Sequence, residues 1–230
     1  MKTSVLIPCT PEHFIYLDRV IEAYQRGTKM PDEIVIVLSD CLKVPDIYIA
    51  AFHAVYDESQ QDEIKVRLIP VVQPLYTGKA CTVGETNCNG DIIIIQAADD
   101  LPHPRRVEIV EKCFEKHFIV ALNHSFYGLD HMKYYGMEAL ENQFDYDNIK
   151  AVQPWEMYKH HFEDGHIHDV YGQNCGFHVA AGTICYRKDI VGKFTWSNKK
   201  HGQDTITCKR ILHHFKRSIA IDAPLYYYFK

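Results

Sequence analysis

With 230 residues, 47% of them hydrophobic and 24% charged, the chain has the make-up of a soluble globular protein and the length of one large domain or a sheet domain with a small appendage. A formal charge of −5 argues against a general nucleic-acid binder, and no apolar run is long enough to span a bilayer. The opening MKTSVLIPCTPEH is a poor secretion signal, and eight cysteines without a C-x-x-C pair read as free thiols in a reducing compartment, so the expected location is cytoplasmic.

TSVLIP reads as a short β-branched strand. Thr10-Pro11 then supplies an N-cap and a first-turn proline, and Leu17, Val20, Ile21 and Tyr24 keep i, i+3, i+4, i+7 spacing until Gly27. EIVIVLSD is a second strand, PDIYIAAFHAVYDE a helix, and KVRLIPVV a third strand. A helix is predicted from Gly78 to Asn89, and DIIIIQAA is the fourth strand. Val107, Val110 and Phe114 mark a further helix, and FIVALNHSF another strand. This alternation over residues 1–125 predicts βαβ units and a mostly parallel sheet.

Residues 126–178 are rich in Tyr, His, Asp and Gly, with weak periodicity, and predict loops and short antiparallel pieces. AAGTICYRKDIVG suggests a strand passing into a short helix. DTITCKRILHHF is a helix with Cys208, Ile211, Leu212 and Phe215 on one face, and SIAID and LYYYF are extended. No repeat, low-complexity tract or linker divides the chain, so residues 1–230 are expected to form one domain whose halves share a sheet.

The stretch GDIIIIQAADDLPHPRR concentrates the chemistry. Four consecutive isoleucines suit a strand buried on both faces, and Asp99 and Asp100 sit where it leaves the core. Ligands of open α/β sheets bind outside the carboxyl ends of the strands. An ordinary strand exit, with an Asp capping the next helix, is the plain alternative. G-x-G-x-x-G, G-x-x-x-x-G-K-[ST] and G-x-S-x-G are all missing, which removes the usual phosphate cradles and the commonest serine-hydrolase elbow. A diphosphate can still be held through Mg²⁺ or Mn²⁺, which takes one or two carboxylates and fills its octahedron with phosphate oxygens and water. Thr10, Ser39-Asp40 and Gly78-Lys79 fall at the same predicted edge. A carboxylate at Asp40 can accept the ring N–H of uracil, thymine or guanine, or simply close an Asx turn. Lys79 can balance diphosphate charge or be a solvated helix-start lysine.

SVLIPCTPEHFIYLDRVIEAYQRGTKMPDEIVIVLSD, GKACTVGETNCNGDIIIIQAADDLPHPRRVEIV, GTICYRKDIVGKF and GQDT together resemble the ordered blocks of a GT-A glycosyltransferase of the family-2 type. The resemblance implies a Rossmann-like three-layer α/β sandwich with a mostly parallel sheet. Residues 1–125 would be its nucleotide-sugar-binding half and 126–230 a smaller, irregular acceptor-binding half. It implies that Pro8, Thr10 and Asp40 line the nucleoside pocket, that Lys79 lies near the diphosphate, and that Gly84 is the glycine of the helix before the fourth strand. Asp99 and Asp100 match the metal-binding DXD element, with Asp100 first as metal ligand or ribose neighbour and Asp99 close behind. The commonest form is Asp-X-Asp-Asp, and Ala97 stands at its first position. Pro104 and Arg106 match a P-x-R that implies a helix start and an arginine–carboxylate pair.

Inverting transfer needs a base on the acceptor hydroxyl. In the resemblance an acidic E-D pair near the last helix supplies it. Here the pair reads Gln203-Asp204, which makes Asp204 the base, or an N-cap, or both. His166, His168, His178 and His201 are candidate extra metal ligands or solvated loop residues. Tyr127, Tyr134, Tyr135, Trp155 and Tyr158 suit an acceptor groove and core packing equally.

The expected activity is Mn²⁺- or Mg²⁺-dependent transfer from a nucleoside diphosphate sugar, UDP-sugar favoured, to a hydroxyl of a carbohydrate or glycan acceptor, with inversion. The alternatives are a retaining transferase, a sugar-nucleotide pyrophosphorylase and a catalytically silent nucleotide-sugar-binding module. Of these the pyrophosphorylase would want a Gly-rich basic first loop that PCTPEHF lacks.

Overall fold

Apolar residues on both faces of successive strands require helices on both sides of the sheet. A computed structural model describes residues 1–56, 64–128, 144–152, 181–197 and 203–229. Strands β1 (Thr3–Cys9), β2 (Glu33–Ser39), β3 (Lys65–Val71) and β4 (Ile92–Ile95) lie in the order β3-β2-β1-β4, all parallel. Helices α1 (Leu17–Gln25), α2 (Asp46–Tyr56) and α3 (Thr77–Asn87) connect them. There follow β5 (Leu101–Pro102), α4 (Arg106–His117), β6 (Ala121–Tyr127), β7 (Ala151–Val152), β8 (Ile184–Arg187), α5 (Gln203–His214) and β9 (Ser218–Tyr227). The nine-stranded sheet continues from β4 through β8, β6 and β9 to β5, with β7 also paired to β9. Parallel pairing therefore rules from β3 to β4. Beyond it only β6 and β9 are parallel, and β8, β5 and β7 pair antiparallel.

The isoleucine run explains the layering. Ile92 and Ile94 join Val5, Ile7, Leu17, Ile21, Val107 and Val110 in one core, under α1 and α4. Ile93 and Ile95 join Leu6, Ala80, Cys81, Cys208 and Ile211 in the other, under α3 and α5. Each isoleucine is fully buried, and each contributes about 1.5–3 kcal/mol. Gly84 lets α3 come close to the sheet, since a Cβ there would lie 2.1 Å from Leu6 Cδ1. Cys208, Ile211 and Leu212 are buried, as their helical spacing predicts. The seven described cysteines are free and buried.

Two elements differ from the sequence reading. The helix after Thr10 starts as a 3-10 turn, Pro11–Tyr16, before α1 begins at Leu17. Thr10 offers no side-chain cap bond and Pro11 no N–H, so the first turn tightens to a His13 N–H to Thr10 O bond of 3.1 Å. SIAID and the first three residues of LYYYF belong to one strand, β9, despite Pro224. Pro224 sits opposite Ser125, where the β6–β9 register shifts, and an irregular position tolerates the missing donor.

Candidate functional site

The chain runs outward from β1 to β3 and returns to β4 on the other side of β1, so the loops after β1 and β4 part at a topological switch point. The two strands stay together to the end, where Gln96 N–H donates to Leu6 O at 2.9 Å. Pro8 and Thr10, half-buried, leave the sheet beside Ala97–Asp100. Between them the Cys9 thiol is pushed up to about 12 by burial first, then by the nearby Asp99 and Glu12 carboxylates. Cys9 is thus a packed thiol and no nucleophile, and Asp99 is close to the end of β1.

The aspartate pair divides its work. Asp100 is 2% exposed. Its Oδ2 accepts the Tyr226 hydroxyl at 2.5 Å and its Oδ1 the Phe229 N–H at 2.9 Å. Burial, then the Asp100 charge, holds the Tyr226 hydroxyl well above its ordinary pKa. Asp99 points elsewhere: its side chain is 15% exposed, and Oδ2 lies 3.7 Å from His13 Nε2. Arg19 Nη2 donates to the Asp99 carbonyl at 2.5 Å. The Arg19 guanidinium is itself held over the rings of Tyr16, at 4.5 Å, and Phe229, at 5.2 Å.

A buried clamp holds the turn from below. Arg106, fully buried at the start of α4, donates to Gln96 Oε1 at 2.6 Å, Tyr24 Oη at 3.2 Å, Ile95 O at 2.9 Å and Gly182 O at 2.7 Å. Gln96 Nε2 in turn donates to the carbonyls of Ala97, at 2.9 Å, and Asp100, at 3.0 Å. The helix start expected at Pro104 and Arg106 is present, but these hydrogen-bond partners of Arg106 are neutral oxygens where the resemblance implied a carboxylate.

Asp40 follows β2 in the left-handed conformation, φ 54°, which Asp adopts more readily than most residues. Its carboxylate pairs with Lys43 Nζ at 2.5 Å. Lys79 is exposed in the first turn of α3. A Cβ on Gly78, beside it, would come within 2.5 Å of Ser197 O, and Ser197 N–H donates to Thr207 Oγ1 at 2.8 Å. Ser197 therefore couples the first turn of α3 to the N-terminal part of α5, on which Asp204 is the second residue. Glu85 pins the same region, accepting Tyr186 Oη–H at 2.5 Å and Trp196 Nε1–H at 2.7 Å while burial pushes its carboxyl up.

No protein-family model matches the chain, and no curated protein matches it in sequence. In three dimensions it is similar to crystal structures of S. aureus TarS. TarS 1-349 in complex with UDP-GlcNAc matches with a TM-score of 0.67 at 14% identity, over 100% of this chain and 59% of that one. TarS 1-349 in complex with UDP matches at 0.67 and 13%, over 61% of its length, and TarS itself at 0.64 and 12%, over 37%. The chain has the GT-A fold. It spans about three fifths of the length of the TarS 1-349 structures it matches.

In this GT-A fold Pro8 and Thr10 lie at the end of β1 and Asp99 follows β4 at the switch point, Asp40 follows the adjacent strand, and Lys79 lies in the first turn of α3. Asp100 lies beneath them, against β9. His13 and Arg19, in the segment straight after β1, are additions that the sequence reading passed over; their signal was a position next to a strand end. Tyr226 and Phe229 gave no local signal. Tyr127 is a core residue stacked on Tyr227 at 5.7 Å. The Asp204 side chain, His166, His168, His178, His201, Tyr134, Tyr135, Trp155 and Tyr158 lie outside the described residues. Among those described, no group of three or more His, Cys, Asp or Glu residues is arranged to hold a metal. A Mg²⁺ or Mn²⁺ ion shared with a diphosphate needs only one or two protein donors, so one half-buried carboxylate with an imidazole beside it fits. No described helix is long and apolar enough to cross a membrane.

Proposed function

We propose that the chain is a metal-dependent glycosyltransferase that moves a sugar from a UDP-sugar to a hydroxyl of a glycan acceptor. The observation that carries the reading is the Asp99 carboxylate, partly exposed at the β1/β4 switch point beside His13, while Asp100 is buried against Tyr226. The GT-A fold supports it, as do the neighbours solved with UDP and UDP-GlcNAc.

In this reading Asp40 accepts the uracil ring N–H, with Pro8 and Thr10 as the pocket wall. Lys79 faces the diphosphate. Asp99 is the carboxylate offered to Mn²⁺ or Mg²⁺, and Asp100 shapes the turn that presents it. The chemistry a bound ion supplies is neutralisation of the charge that builds on the departing diphosphate. Asp204 takes the proton of the acceptor hydroxyl as that oxygen attacks the anomeric carbon from the face opposite the nucleotide. The bond from anomeric carbon to diphosphate oxygen breaks, its electron pair leaves with UDP, and the anomeric centre inverts.

Calorimetric titration with UDP, with and without Mn²⁺, tests the donor side. Asp99→Ala is expected to abolish the Mn²⁺-dependent part of the affinity, and unchanged affinity would remove the metal site. Asp204→Asn is expected to keep donor binding and lose transfer; transfer within a few-fold of the parent would leave Asp204 a helix cap. Ala97 and Gln203 favour a second reading, a silent nucleotide-sugar-binding module. Hydrolysis of UDP-GlcNAc with Mn²⁺ present distinguishes it, since a silent module binds the donor without cleaving it.

A further inference from the structure

We propose that His13 is the second protein ligand of the divalent cation, beside Asp99, and tunes the site to Mn²⁺ over Mg²⁺. The inference rests on the metal-dependent reading above and deepens it.

The geometry comes from two elements that converge. β4 delivers Asp99, and the turn Pro11–Tyr16 after β1 delivers His13. Nε2 and Oδ2 are 3.7 Å apart, with side chains 32% and 15% exposed, so both are open to solvent on one side while staying partly sheltered. In an octahedron with bonds of about 2.1 Å, adjacent donors are about 3.0 Å apart and opposite ones about 4.2 Å. The observed separation falls between these, and a small side-chain rotation brings both atoms onto one ion. The two elements are also tied together: Arg19, one turn beyond the 3-10 segment, donates to the Asp99 carbonyl and lies over Tyr16, whose ring is 6.2 Å from that of His13. Among the described residues, charged groups near the pair include Glu12, exposed on the same turn, and the Arg19 guanidinium, which is turned to the Asp99 backbone.

Ligand chemistry then sets the metal. Mg²⁺ takes oxygen ligands almost exclusively, whereas Mn²⁺ lies on the series of ions that gain from an imidazole nitrogen. A site of one carboxylate, one imidazole and diphosphate oxygens therefore discriminates between them, and the same site without the imidazole does so much less.

The test measures metal binding directly. Free Mn²⁺ is followed by electron paramagnetic resonance in the presence of UDP, and Mg²⁺ affinity by competition, for the parent, His13→Gln and Asp99→Asn. His13→Gln is expected to weaken Mn²⁺ binding by about tenfold or more, given that loss of a ligand's mere supporting partner costs about 10–100-fold, and to leave Mg²⁺ within about twofold. A Mn²⁺/Mg²⁺ ratio unchanged by His13→Gln, with the parent binding Mn²⁺ and Asp99→Asn not, overturns the role of His13 alone. A parent that binds no Mn²⁺ overturns the metal-dependent reading as well. On the unmodified protein, substoichiometric Mn²⁺ is expected to broaden the His13 imidazole proton signals before those of any exposed histidine. A His13 signal that broadens no earlier than the others overturns the assignment whatever the variant does.

Discussion

Between β3 and β4 every strand runs parallel to its neighbour and sends alternate apolar side chains into two cores. From β8 onward the directions mix, and the strand interiors carry polar groups. Asn123, His124 and Ser125 are buried in the middle of β6, and Thr183 Oγ1 donates to Asn123 Oδ1 at 2.9 Å just before β8. The first region brings the candidate reactive groups and can be stabilised by hydrophobic burial. The second brings almost none of them among the described residues, yet it holds the first in shape through Gly182 O, Tyr226 Oη and Phe229 N–H. A site in this chain is thus a turn written by one half and braced by the other.

The strongest way to break that comparison is at Arg106. Arg106→Met leaves the Ile95 and Gly182 carbonyls without its guanidinium in the interior and leaves Gln96 Oε1 to the Tyr24 hydroxyl, and a loss of about 3–5 kcal/mol is expected from the urea midpoint. A loss under about 1 kcal/mol would mean that the cores alone hold the β4 turn.

Acid probes the polar half next. Burial, then the Arg105 charge, lowers His103 from 6.5 to about 4, and burial pushes His124 down as well. A histidine whose folded pKa is depressed binds fewer protons folded than unfolded. It therefore takes stability away as pH falls through 6.5, and the loss levels off below the folded value near 4. For His103 the full swing is on the order of 3 kcal/mol. The slope of unfolding free energy between pH 6.5 and 4 should shrink in His103→Asn, which keeps an acceptor for the Arg105 N–H now taken by Nδ1. An unaltered slope would place the acid sensitivity elsewhere.

Tyr226→Phe removes the hydroxyl donor to Asp100 Oδ2 and should lower stability by about 2 kcal/mol. It should also weaken UDP affinity, because the turn that presents Asp99 loosens. A stability loss with affinity intact would uncouple the brace from the site. The smallest of these effects is expected in the parallel half. Gly84→Ala drives a methyl into Leu6 and should cost about 1–2 kcal/mol, recovered in part when Leu6→Val makes room.

The parallel half was legible because its signals are local. A run such as Ile92–Ile95 can satisfy its side chains only between two helix layers, and α1 and α5 announce their buried faces by spacing. Of the candidate site, the strand ends were legible, and they set Thr10, Asp40 and Asp99 after three neighbouring parallel strands. Which of Asp99 and Asp100 stays exposed was not, because it depends on which way a turn faces. That orientation is set by a hydroxyl and an amide 126 and 129 residues further on. The continuity of β9 was hidden for the same kind of reason. Pro224 reads as a strand breaker until the irregular register of β6 gives it a place that needs no donor.

The bond from Tyr226 to Asp100 also sets a timetable. A ribosome adding about 5–20 residues per second needs roughly 6–25 seconds to pass from residue 100 to residue 226, 126 positions later. During that interval β1 to β4 can collapse on their own helices, while the carboxylate of Asp100 waits in solvent for its partners. The β4 turn therefore stays unbraced until translation has passed residue 226, and the direction in which Asp99 faces is fixed only once β9 has been made.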